Sequence, residues 1–93
     1  MGKFRIQIED IAKDQLRKIY KSGDKATIKK LEKILLELEE HPKTGIGEPE
    51  ALKYQLTGYW SRKINKKDRM IYEISEELVL VSIIELSSHY GDK

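Results

Sequence analysis

The chain has 93 residues, of which 37% are charged and 39% hydrophobic, no cysteine, and a formal net charge of +2. That length supports one domain with one modest core and excludes any architecture needing about 200 residues, such as a β/α barrel. The missing cysteines exclude a disulfide scaffold, a thiolate metal site and a thiol nucleophile together, and they suit a reducing, cytoplasmic setting.

Met1 to Ile8 carries Lys3 and Arg5 and alternates, with no apolar core segment, so no signal peptide is expected. No uncharged run is long enough to span a bilayer, so no membrane partner is expected. Phe4, Ile6 and Ile8 alternate with Arg5 and Gln7, which predicts a strand with one buried face. Ile8, Ile11, Ala12, Leu16, Ile19 and Tyr20 then follow helical spacing, with Glu9 and Asp10 where the helix dipole favours acids. Ser22-Gly23 stops that helix, and Gly23 can take the left-handed cap. Asp24 can cap a second helix whose apolar stripe is Ile28, Leu31, Ile34, Leu35 and Leu38. His41-Pro42 ends it, because a residue before proline is pushed out of the helical region. Glu37, Glu39 and Glu40 oppose the dipole at its end, which leaves room for a compensating partner, but they read first as solvated acids.

The stretch from Pro42 to Pro49 reads as loop, and it matches no nucleotide-binding glycine motif. Strands are expected at Leu52 to Thr57, Trp60 to Asn65, Arg69 to Ser75 and Leu78 to Leu86, joined by short turns and therefore antiparallel. The predicted fold is a single α+β domain over residues 1–93: an N-terminal strand, a two-helix hairpin, then a four-strand antiparallel meander with the helices on one face. Met70, Tyr72 and Ile74 should lie under the helices, leaving Arg69, Ile71 and Glu73 on the open side. Ile64 should face the core, which puts Ser61, Lys63 and Asn65 on the open side as well.

Ser61 to Arg69 holds Arg62, Lys63, Lys66, Lys67 and Arg69 against Asp68 alone, a local charge of +4 that leaves −2 for the rest of the chain. Such a patch suits a polyanion, although a solvated hairpin also explains the charge. The two histidines, His41 and His89, have no second ligand at metal-binding spacing, so a zinc site is not expected.

The segments His41 to Lys53, Leu56 to Ile64 and Arg69 to Tyr72, with His89-Tyr90, carry a long spaced pattern: G-x-G-x-P-E-x-L-K followed by L-x-G-x-W-S-R. This pattern resembles the Txe/YoeB toxins of the RelE superfamily, from type II toxin–antitoxin systems. The resemblance implies a RelE-like fold and a ribosome-dependent messenger-RNA endonuclease, cleaving in the A site without metal or other cofactor. It implies Glu50 as general base, Arg69 as the cation supporting the scissile phosphate, His89 as general acid and Tyr90 as its companion. It also implies phosphate contacts from Lys53, Arg62 and Lys63. Lys63 stands where the family usually has an arginine, and a lysine cannot offer the bidentate fork. The strand before His89 reads two residues longer than in YoeB. The implied partners are the ribosome with its message and a YefM-like antitoxin whose tail folds over the toxin. A homodimer and a toxin–antitoxin hetero-oligomer both stay open.

The chemistry needs these residue types. RNA supplies its own 2′-hydroxyl nucleophile, a carboxylate takes its proton, a cation holds charge growing on the phosphate, and an acid protonates the leaving 5′-oxygen. Partial burial of Glu50 would raise its pKa toward the working range. Tyr59 or Tyr90 could stack on a base. Two other functions compete. A ParE-like branch poisons DNA gyrase without cutting RNA, and a decayed toxin only binds its antitoxin; neither needs the acid–base pair Glu50 and His89.

Overall fold

The computed structural model describes residues 3–87. The chain runs β1 (Arg5–Ile8), α1 (Asp10–Ser22), α2 (Lys25–Glu40), β2 (Glu50–Ala51), β3 (Tyr59–Lys63), β4 (Arg69–Ser75) and β5 (Leu80–Ser87). Both helix boundaries follow from local chemistry. Gly23 closes α1 with φ at +78°, a left-handed conformation that costs glycine little. Asp24 caps α2, its Oδ1 accepting the Thr27 backbone N–H at 3.2 Å and its Oδ2 the Thr27 hydroxyl at 2.7 Å. His41 ends α2, donating its backbone N–H to the Glu37 carbonyl.

The five strands form one sheet in the order β1-β5-β4-β3-β2. The last four make the expected antiparallel meander. The first strand pairs parallel to β5, with Ile6 opposite Val81 and Ile8 opposite Ile83, so the sheet is mixed. Ala12 of α1 and Leu31, Ile34 and Leu38 of α2 are fully buried against Met70, Tyr72, Val81, Ile83 and Leu86. Each such leucine or isoleucine contributes about 1.5–3 kcal/mol relative to an exposed one. The apolar stripe of α1 is narrower than its sequence suggests, since Ile11 is 63% exposed.

Two departures from the predicted strands matter. Leu52 to Thr57 is not a strand: the last bond to β3 is Leu52 N–H donating to the Tyr59 carbonyl at 2.9 Å, and Tyr54–Leu56 forms one 3-10 turn, closed by Thr57 N–H donating to the Tyr54 carbonyl at 3.1 Å. Alternation alone cannot separate an edge strand from a turn of similar composition. In β5 the register shifts between the partners of Ile71 and Tyr72: Ile71 faces Glu85, whereas Tyr72 faces Ile83. Ile84 is the extra residue of a β-bulge. The bulge absorbs one residue of the long last strand and lets Ile83 and Leu86, three apart, both face the core.

Candidate active site

Strand alternation divides the basic segment between two faces. In β3, Trp60 and Arg62 point toward the helices, while Tyr59, Ser61 and Lys63 point away. Arg62 is completely buried and makes five hydrogen bonds. Its Nε donates to the Tyr72 hydroxyl at 3.1 Å. Nη1 donates to Glu37 Oε1 at 2.8 Å and to the Ile46 carbonyl at 3.2 Å, and Nη2 donates to the His41 and Thr44 carbonyls, both at 2.7 Å. The expectation that Arg62 binds RNA phosphate is thereby corrected: its guanidinium has no free donor edge and no access to solvent.

Arg62 instead builds the loop that carries the candidate base. Glu37 Oε1 also accepts the Ile46 N–H at 2.9 Å, and the Tyr72 hydroxyl donates to the Pro42 carbonyl at 2.8 Å. Burial pushes the Tyr72 phenol above its ordinary value, against the opposing pull of Arg62. Lys63 N–H donates to the Gly47 carbonyl at 2.6 Å, which pins the end of the loop to β3. Gly47 has φ at +85°, and a side chain there would come within 2.8 Å of the Lys63 carbonyl. Glu37 is therefore not a solvated acid. The signals that could have exposed this network are the misplaced acid at the end of α2 and the parity of Arg62 with Ile64, a core residue.

On the open face, cross-strand register brings the sequence-predicted residues together. Glu50 faces Ser61, Ser61 faces Ile71, and Ile71 faces Glu85. One pleat along, Lys63 faces Arg69 and Arg69 faces Ser87. Opposed residues in a ladder project to the same side, so Glu50, Lys63 and Arg69 share one face. Strand spacings put the Glu50 and Arg69 backbones about 12 Å apart. The two central residues of the row, Ser61 and Ile71, are buried, whereas Glu50, Lys63 and Arg69 are exposed.

Among the described residues no hydrogen bond or ion pair holds the side chain of Glu50 or Arg69. Glu50 is exposed, so the partial burial anticipated for a tuned base is not found. Lys63 Nζ meets Glu48 Oε1 at 3.0 Å. That bond, with the positive charge of Lys63, Lys30 and Arg69, holds the Glu48 carboxyl below its ordinary range. Lys53 is exposed just beyond β2, and Tyr59, half-buried, sits opposite Glu73 at the far end of the row. Asn65, expected on the open side, turns instead toward α2, where its Nδ2 donates to the Thr27 hydroxyl at 3.3 Å. His89 and Tyr90 lie outside the described residues.

No helix among the described residues is long and apolar enough to cross a membrane. Residues 8–90 match the family described as "YoeB-like toxin of bacterial type II toxin-antitoxin system". A Toxin YoeB of Synechocystis is 38% identical over 71 residues, 76% of this chain and 80% of that one. The YoeB dimer of Staphylococcus aureus superposes with a TM-score of 0.78 at 31% identity, covering 96% of this chain and 100% of that one. A toxin in the heterotetrameric YoeB–YefM complex of the same organism gives 0.76 at 32%, covering 94% and 98%. With the family match, the identity to curated relatives and the shared sheet and helix hairpin in agreement, the chain belongs to the YoeB family of bacterial type II toxins.

Proposed function

We propose that this toxin is a ribosome-dependent endoribonuclease that cuts messenger RNA in the A site. The observation that carries the reading is the sheet register, which sets Glu50, unpaired among the described residues, one pleat from the Lys63–Arg69 pair on one exposed face. Glu50 takes the proton of the 2′-hydroxyl as that oxygen attacks the adjacent phosphorus. Arg69 holds the charge that grows on the non-bridging oxygens, and Lys63 and Lys53 add to the same field. The imidazolium of His89 protonates the departing 5′-oxygen, with Tyr90 as its companion in the family pattern. The products are a 2′,3′-cyclic phosphate and a free 5′-hydroxyl, so protons and bonds balance with groups of this chain and the RNA alone.

An exposed Glu50 has a further implication. A carboxylate in water is a weak base, and the messenger and ribosome closing over the sheet would remove that water and strengthen it. This supports dependence on the ribosome. The YoeB–YefM complex and the YoeB dimer of Staphylococcus aureus support an antitoxin of YefM type and self-association as the protein partners.

The test is primer extension on a message in a purified translation system, comparing wild type with Glu50→Gln, Arg69→Ala and His89→Gln. Cuts at A-site codons, lost in all three variants, are expected. Intact message with translation still running would refute the nuclease reading and turn attention to gyrase.

A further inference from the structure

Glu48 occupies an unusual position. It precedes Pro49, a place that favours extended backbone, yet its φ is +54°, in the left-handed region. Neighbouring contacts hold it there: Gly47 is bound through its carbonyl to Lys63 N–H, and the Glu48 carboxylate reaches Lys63 Nζ at 3.0 Å. Lys63 is also the residue at which two surfaces meet. On the open face it pairs with Arg69. At the end of β3 it also borders, with Lys30, Lys66, Thr27 and Asn65, a groove of about 510 Å³ whose lining among the described residues includes no acid. Lys63 thus stands between Arg69, its ladder partner, and Lys30, which shares the groove, while Glu48 sets a carboxylate against its ammonium.

We infer that this cluster is a phosphate subsite for the RNA backbone, built from Lys63, Lys30 and Arg69, and that Glu48 is its resident competitor. The inference rests on the reading of the open face as an RNA-cleaving surface and adds to it one cation, Lys30, and one opposing acid. A carboxylate and a phosphodiester are both singly charged oxygen anions, so each satisfies the Lys63 ammonium and, as like charges, they compete for it. Glu48 is displaceable because its side chain is 76% exposed and solvent screens the pair. Each backbone phosphate that binds here must first release Glu48, which lowers affinity. It also lowers the salt dependence, because the lysine arrives already neutralised and has no counterion to shed.

The test is a fluorescence-anisotropy titration of a labelled 2′-O-methyl oligoribonucleotide, which cannot be cleaved, at several salt concentrations. Glu48→Gln is expected to tighten binding about two- to fivefold and to steepen the slope of log K against log salt. Lys30→Gln is expected to weaken binding and flatten that slope. The gain from Glu48→Gln is expected to vanish in a Lys63→Gln background. An equal gain in both backgrounds would mean that Glu48 acts only through net charge and would overturn the inference, as would no gain at all. Because the probe carries no 2′-hydroxyl and no ribosome is present, the result is independent of whether Glu50 and His89 cut RNA.

Discussion

Arg62 and Arg69 belong to the same short basic stretch, yet they lead opposite lives. Arg62 is completely buried, and its five hydrogen bonds tie β3 to the end of α2 and to three carbonyls of the following loop. Arg69 is exposed, and no hydrogen bond or ion pair holds its side chain among the described residues. The pleat accounts for the difference: Arg62 has the parity of Trp60 and Ile64, and Arg69 that of Lys63 across the ladder. A cluster of charge in a strand-rich segment is thus two clusters, one on each face. The inward half sets the shape of the loop bearing Glu48 and Glu50. The outward half faces solvent, with Lys63 against Glu48 and the Arg69 side chain unheld among the described residues.

Breaking the inward half should have the largest effect. Arg62→Ala strands the Glu37 carboxylate, the Tyr72 hydroxyl and several loop carbonyls, and should cost about 3–5 kcal/mol. Urea unfolding would show it as a fall in the midpoint, and Arg62→Lys should recover little of the loss, since one ammonium cannot replace a fork. The outward half should behave in reverse. Arg69→Ala should reduce A-site cleavage about 10²–10³-fold while stability changes by no more than about 0.5 kcal/mol. If Arg69→Ala destabilises the protein as much as Arg62→Ala does, the division into a structural and a reactive face is wrong.

A smaller effect is expected where the loop meets the strand. Gly47→Ala must find room beside the Lys63 carbonyl and hold a positive φ, at a cost of about 1–3 kcal/mol. Cleavage should fall with it at temperatures where the protein remains folded, because Glu50 would shift relative to Arg69. The finest probe is Tyr72→Phe, which removes one hydroxyl from the Arg62 network for about 1–2 kcal/mol. This change has a signature in pH. The folded phenol titrates above its ordinary 10.0, so between that value and its folded value the unfolded chain has lost a proton that the native state keeps. Stability is therefore full below pH 10 and falls as pH rises past it, and Tyr72→Phe should flatten part of that fall in denaturation curves taken between pH 9 and 12.

The features legible in the sequence are those decided by near neighbours along the chain. Gly23 and Asp24 mark the turn between the helices because a left-handed cap and a side-chain N-cap act within three residues. Met70 and Tyr72 are core, and Lys63 shares a face with Arg69, because the pleat alternates without regard to the rest of the fold. The motif around Glu50 stands out through its likeness to a toxin family; the structure adds that Gly45 and Gly47 hold positive φ, which few other residues adopt. Tertiary structure alone decided what depends on partners distant in sequence. The parallel pairing of β1 with β5 and the burial of Arg62 against Glu37 join segments that the chain separates widely, while the bulge at Ile84 and the brief β2 depend on cross-strand register that alternation does not record. No local pattern records the competition among such contacts. The same basic residue type therefore holds the core together at position 62 and faces open water at position 69.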